Sequence, residues 1–173
     1  MVICGVIFVS EEAERAIGEP YQRCNPIASH VRPHLTLLFP LETELQSSDV
    51  YAHFESVTSQ VEIFDIRLNG VRLRPEDLLI YLGVSEGAEE LHFLHRGLYR
   101  GHFERFLDST RPFYPHLTVG RFETEAEMSS AYEELRTFKP DLSFAARSLS
   151  LLERRAPHRW ETIRSFDFRR RQS

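Results

Sequence analysis

Four residues occur twice in this chain. Pro33-His34-Leu35-Thr36 returns 82 residues later as Pro115-His116-Leu117-Thr118. From such a composition the double occurrence has a chance probability on the order of one in 10⁵ to 10⁶. Each copy sits in a strand pattern and is followed by helical and then strand patterns. Ser48 to Val57 and Val61 to Leu68 follow the first copy; Glu125 to Phe138 and Leu142 to Leu152 follow the second. Within these strands Phe64-Asp65-Ile66-Arg67-Leu68 matches Phe144-Ala145-Ala146-Arg147-Ser148, 80 residues on. A hairpin partner is expected after each. The architecture that satisfies this order is α+β. It is a bilobal, pseudo-symmetric, duplicated β-α-β-β fold, with two antiparallel sheets flanking a central cleft and helices outside. Two copies are too few for a solenoid. No Pro/Gly/Ser-rich linker divides the 173 residues, so residues 1–173 are expected to form a single domain of two interleaved lobes, each with one motif.

The remaining elements follow from local signals. Val2 to Val9 reads as a buried strand. Ser10 caps a short helical turn over Glu11 to Ile17. The first motif strand, His34 to Phe39, is expected to stop at Pro40. Asn69-Gly70 reads as a hairpin turn before a strand at Leu78 to Val84. Ala88 to Phe106 reads as one helix with Leu91, Leu94, His95 and Leu98 at helical spacing. His116 to Phe122 and Trp160 to Phe168 are the last two strands in this reading, and Arg169-Arg170-Arg171 reads as a solvated basic end.

Composition limits the function classes. Apolar residues make up 42% and charged residues 27%, the profile of a soluble globular chain. The 21 cationic and 26 acidic residues leave a net charge of −5, which disfavours general binding to long duplex nucleic acid. Any phosphate site must be local. All the cations but Lys139 are arginines; taken alone, that is a compositional bias. Two cysteines, Cys4 and Cys24, exclude a disulfide scaffold and a cysteine-built zinc site. Val2 to Val9 is too short to span a bilayer, lacks a basic leader and runs into Ser10-Glu11-Glu12. A cytoplasmic protein with reduced thiols and no membrane partner is expected.

The chemistry lies in the repeated motif. Residues i and i+2 of a strand share a face. His34 and Thr36 therefore project together, as do His116 and Thr118. Facing each other across a cleft, two imidazoles and two hydroxyls suit in-line displacement at phosphorus. One imidazole removes a proton from the nucleophile while the other protonates the leaving oxygen. Threonine hydroxyls can donate to the non-bridging oxygens as charge shifts onto them.

These motifs resemble those of the 2H phosphoesterase superfamily, which includes the 2'-5' RNA ligase-like proteins and the cyclic nucleotide phosphodiesterases acting on RNA ends. His34-Leu35-Thr36-Leu37 and His116-Leu117-Thr118-Val119 both fit its His-x-Thr/Ser-x pattern. In the ligase-like members an aromatic residue commonly stands five residues after the first histidine and an arginine five after the second; here these are Phe39 and Arg121. The resemblance implies a metal-independent phosphodiesterase without a cofactor. It would open 2',3'-cyclic phosphates to 2'-phosphates, with a reverse reaction forming 2'-5' linkages. It implies His34 as general acid, His116 as general base, Thr36 and Thr118 on the phosphate, and Arg121 beside it. The expected partner is an RNA terminus or a small cyclic nucleotide, handled by a monomer.

Other residues are weaker candidates for substrate binding. Tyr114 shares a face with His116 and can stack on a base. Phe39 lies at odd spacing from His34, so strict alternation turns it to the core. Tyr81 falls in a central strand. Arg67 and Arg147 occupy matching repeat positions and so are candidates to flank the cleft. His92 and His95 are one helical turn apart, but no third metal ligand accompanies them, and a surface-helix reading is preferred. A non-catalytic RNA-end or nucleotide-binding module, and an adaptor that kept the repeat, are the alternatives. Both are disfavoured by two intact motifs.

Overall fold

Val2–Phe8 (β1) is buried almost throughout because both of its faces are covered. Ile3 and Ile7 point into the main core, whereas Cys4 and Val6 join Leu152 and Val31 in a second, smaller apolar cluster on the opposite face. In the computed structural model, residues 1–139 and 141–171 are described. They form β1, Glu11–Cys24 (α1), His34–Glu42 (β2), Ser47–Thr58 (α2), Phe64–Arg74 (β3), Leu79–Glu86 (β4), Ala88–Leu98 (α3), His116–Arg121 (β5), Glu125–Leu135 (α4), Asp141–Ala146 (β6), Ser148–Ala156 (β7) and Arg159–Asp167 (β8).

The strands form one eight-stranded sheet in the order β6-β3-β4-β5-β2-β1-β7-β8, and every ladder in it is antiparallel. The two expected sheets are its two four-stranded halves. The first half is β2-β1-β7-β8 and the second is β5-β4-β3-β6. They meet at one registered pair, Leu35 with Leu117. The motif strands β2 and β5 are therefore central neighbours. Helical residues Ile17, Tyr21, Phe54, Leu91, Leu94 and Leu98 share the main core with Leu35 and Leu117. The motif histidines and threonines lie on the face away from the helices.

Helix starts follow the local chemistry. The Ser10 side chain accepts from the Ala13 amide over 3.2 Å, and Thr124 and Glu127 form a reciprocal capping box on α4. α1 runs past the expected end at Ile17 and through Pro20, because Ala13, Ile17, Pro20, Tyr21 and Cys24 continue one buried stripe. The long helix expected over Ala88 to Phe106 breaks at Leu98, and Gly101–Phe106 forms a 3₁₀ segment.

Strand corrections bear more directly on the site. β2 continues through Pro40 to Glu42. Its registered pairing with β5 is confined to Leu35, so the missing Pro40 amide costs no ladder bond there. Asn69-Gly70 is a bulge inside β3, with Gly70 at φ +67°, and not the hairpin turn. The chain reverses instead at the 3₁₀ turn Pro75–Asp77. The strand expected over Leu142 to Leu152 is two strands. β6 pairs with β3, while β7 pairs with β1 and has β8 as its hairpin partner. Only Arg147 separates β6 from β7, although they stand far apart in strand order, so the sheet has to curl to join them. The basic end is docked: Arg171 donates to the Ile63 carbonyl over 2.7 Å and to Asp65 over 2.9 Å. No helix among the described residues is long and apolar enough to cross a membrane.

Candidate active site

The same local bond orients each motif histidine. His34 Nδ1 lies 2.7 Å from the Arg32 carbonyl, and His116 Nδ1 lies 2.7 Å from the Tyr114 carbonyl. A carbonyl can only accept, so each Nδ1 carries the proton and each Nε2 is left to titrate. Thr36 and Thr118 sit beside them on the same strands, half-buried, and among the described residues neither hydroxyl has a protein partner. His34, Thr36, His116 and Thr118 line one cleft of about 210 Å³, together with Phe39, Arg121, Leu152, Trp160 and the loop residues Asn25 to Ile27.

Phe39 reaches this cleft because β2 is bulged. Val6 registers with Thr36 but Gly5 with Leu38, so β2 carries an extra residue there, and Leu37 and Leu38 are both buried. The extra residue reverses the alternation and turns Phe39, 44% exposed, to the side of His34. This corrects the core placement that strict alternation gives. β5 repeats the device. Tyr81 registers with Thr118 but Ile80 with Gly120, and Arg121 comes out on the side of His116. α3 holds the first bulge in place. The Phe39 amide donates to the Tyr99 hydroxyl over 3.1 Å, and His95 Nδ1 lies 2.8 Å from the Leu37 carbonyl. His95 is buried and stacked on Phe113 at 3.8 Å, so it is not the surface-helix histidine that spacing suggested.

The electrostatics keep both imidazoles less basic than usual. Burial lowers the His34 pKa, opposed by its bond to the Arg32 carbonyl, and a charged His116 lowers it further. Burial also lowers that of His116; the Tyr114 carbonyl opposes this, Arg74 and Arg121 add to it, and Asp77 partly offsets them. Cys4 lines the cleft, but burial pushes its thiol up to about 12, so it is no nucleophile near neutrality. Among the described residues no three His, Cys, Asp or Glu side chains are gathered as metal ligands.

The other sequence candidates divide. The Tyr81 ring meets that of His116 edge-on at 5.3 Å. Tyr114, 56% exposed, lies under the Arg74 guanidinium at 5.4 Å and lines a second hollow of about 360 Å³ that shares Phe39, His116 and Arg121 with the first. Arg67 and Arg147 are misplaced by the repeat alignment. β3 and β6 are not equivalent strands but neighbours, with Phe64 opposite Ala146, so Arg67 sits in a strand and Arg147 in the link after β6. Neither lines either hollow beside the motif histidines. The equivalent of β3 in the first half is β7. Arg74 on β3 lines the second hollow and Trp160 on β8 lines the first; sequence reasoning missed both, because their placement needs the strand order, which no local pattern carries.

Comparison with known proteins gives the family and the fold. The family model for the 2'-5' RNA ligase superfamily matches residues 9–158. The chain belongs to that superfamily. A Bacillus cereus (strain AH820) protein with a provisional phosphoesterase name is 29% identical over 133 residues, 76% of each chain. Among solved structures, TT0787 of Thermus thermophilus superposes with a TM-score of 0.72 at 21% identity, covering 99% of this chain and 100% of that one. Escherichia coli LigT complexed with 3'-AMP gives 0.70 at 19% identity, covering 96% and 97%. At these identities the structural likeness establishes the fold of this 2'-5' RNA ligase superfamily member. The family carries a 2'-5' RNA ligase name, and the Bacillus relatives carry phosphoesterase names.

Proposed function

We propose that this protein is a metal-independent phosphodiesterase, without a cofactor, that opens 2',3'-cyclic phosphates at nucleotide or RNA ends to 2'-phosphates. The observation that carries the reading is the pair of imidazoles, each with Nδ1–H tied to a carbonyl, lining one cleft with two threonine hydroxyls. Water attacks phosphorus as His116 Nε2 takes its proton. The bond from phosphorus to the 3' oxygen breaks, and His34 delivers the proton that this oxygen needs. Thr36 and Thr118 donate to the non-bridging oxygens, where charge grows. Arg74 and Arg121 disfavour charge on His116, which suits a base. No arginine is among the groups that depress His34, and the repulsion it feels from His116 lapses while His116 is neutral, which suits an acid. With a 5'-hydroxyl in the place of water, the same steps open the cyclic phosphate to a 2'-5' linkage: His116 takes the hydroxyl proton, the bond from phosphorus to the 3' oxygen breaks, and His34 protonates that oxygen.

LigT structures hold 3'-AMP, ATP and NADP+, which supports a nucleotide occupant for a cleft of this fold. A net charge of −5 favours a terminus or a small nucleotide over a long duplex. The test is incubation of the pure protein with a nucleoside 2',3'-cyclic phosphate and EDTA. Conversion to the 2'-phosphate is expected. Turnover only with added metal overturns the mechanism; binding without turnover favours a nucleotide-binding module.

A further inference from the structure

The proline repeated in both motifs separates each histidine from the carbonyl that orients it. Arg32 stands before Pro33 and Tyr114 before Pro115. Proline fixes its own φ and keeps the residue before it extended, so the direction of each carbonyl depends on how Arg32 and Tyr114 are held. Each is held by the same three kinds of group: an arginine, an aromatic ring and a carboxylate. The Arg32 guanidinium lies 5.3 Å from the centre of the Phe8 ring, and Arg32 bonds Glu14 over 2.7 Å. In the second half Tyr114 supplies the ring. The Arg74 guanidinium lies over it, and Arg74 is 3.5 Å from Asp77.

The second clamp is the tighter one. Arg32 and Glu14 are more open to water than Arg74 and Asp77, whose side chains are 22% and 23% exposed. A sheltered pair is screened less by water and salt. Arg74 also reaches the more exposed Glu76, at 3.4 Å. Asp77 takes a second cation: one Arg111 nitrogen donates to both of its oxygens, over 2.6 and 2.8 Å. A turn closed by Asp108 and Thr110 presents Arg111. The segment from Arg111 to Tyr114 is thus tied to Asp77 at both ends, directly at Arg111 and through Arg74 at Tyr114. Asp77 itself ends the Pro75–Asp77 turn and is followed by Leu78 at φ +51°. A leucine in the left-handed region is strained, and strain of this kind gathers where geometry serves a site.

We infer that Asp77 is a positioning residue: through Arg111 and Arg74 it fixes the segment whose last carbonyl, that of Tyr114, orients His116, and it balances the arginine charge beside that ring. The inference rests on the proposed reaction, in which His116 is the base. Among the described residues, the groups facing His116 are Tyr81 on β4, Arg74 on β3, Arg121 on β5, His34 on β2 and Asp77. Arg72 lies against Gly83, the partner of His116 in register. Asp77 is the anion of this set. Its loss leaves the arginines unopposed and disfavours the charged imidazole further.

The test is Asp77→Asn, which keeps the shape and removes the charge. With a nucleoside 2',3'-cyclic phosphate, kcat is expected to fall about tenfold while KM changes by less than about twofold. One limb of the kcat/KM profile should move to lower pH, opposite in sign to the effect of removing the Arg121 charge. Arg111→Gln should lower kcat by a similar factor, and the double variant by no more than the larger single loss, because both act through one segment. Undiminished kcat in Asp77→Asn, or single losses that multiply in the double variant, overturn the inference. The His116 ring titration, followed by NMR in the free protein and assigned with His116→Ala, reads the link without turnover. It should move to lower pH in Asp77→Asn and stay in place in Glu14→Gln; the same shift in both variants, or in neither, overturns the inference. Absence of hydrolysis with a shift confined to Asp77→Asn refutes the reaction but keeps the link between Asp77 and His116. Hydrolysis with an unmoved titration and an unchanged kcat does the reverse.

Discussion

Phe39 and Arg121 occupy one position of the pseudo-symmetric sheet, each five residues beyond a motif histidine and just past a β-bulge. Both bulges reverse the strand alternation, so both side chains join the histidine face. The duplication has thus kept a backbone device while changing the group it presents, aromatic in one half and cationic in the other.

His34→Ala and His116→Ala are each expected to lower turnover of a 2',3'-cyclic nucleotide by at least about 100-fold, the usual scale for losing a general acid or base. Both rings are half-buried and hydrogen-bond only to a carbonyl two residues away, so the fold should survive. Circular dichroism and urea titration check the fold; product analysis checks the rate. Full activity in either variant removes the proposed roles.

The pH profile follows from the shifted imidazoles. Both pKa values are lowered from 6.5 in the free protein, so both limbs of a bell-shaped kcat/KM profile should lie below pH 6.5. Arg121→Gln removes a cation that disfavours charged His116 and should move one limb to higher pH. Limbs at or above pH 6.5 in the parent protein would contradict the electrostatics described here.

Stability should carry the same signature. His34, His95 and His116 all have folded-state values below 6.5, so the unfolded chain binds protons first. Their contribution is present above pH 6.5 and is lost as pH falls through the lowered values. The urea midpoint is therefore expected to drop between pH 7.5 and pH 5, and His95→Gln should flatten that slope.

Tyr99→Phe deprives the Phe39 amide of its acceptor. A loss of about 1–2 kcal/mol is expected from chemical denaturation, the scale of an unmade buried hydrogen bond. Because the freed segment carries Phe39, KM should rise more than kcat falls. An unchanged KM would show that Phe39 needs no such support.

Two glycines should respond with opposite signs. A β-carbon on Gly120 would sit 2.8 Å from Cys24 Cβ and 2.9 Å from the Phe122 ring, so Gly120→Ala should cost about 1–3 kcal/mol. Gly18, inside α1, has nothing within 4 Å of that position, and Gly18→Ala should add about 0.5–1 kcal/mol. Urea midpoints for the two variants decide both signs.

Local sequence determined the motif strands, their shared His/Thr faces and most helix positions, because strand alternation and helix caps act over a few residues. The repeat also announced two equivalent halves. It did not say which strand joins which half. Aligning Arg67 with Arg147 assumed that strands equivalent in sequence order are equivalent in the sheet, yet β3 pairs with β4 and β6 while β7 crosses to β1. Strand order is a property of long-range pairing, so only the tertiary structure could replace that pair by Arg74, which lines the hollow beside His116. The same holds for Phe39. A bulge appears only when two strands are laid in register, and one inserted residue decides whether a side chain meets the core or the cleft.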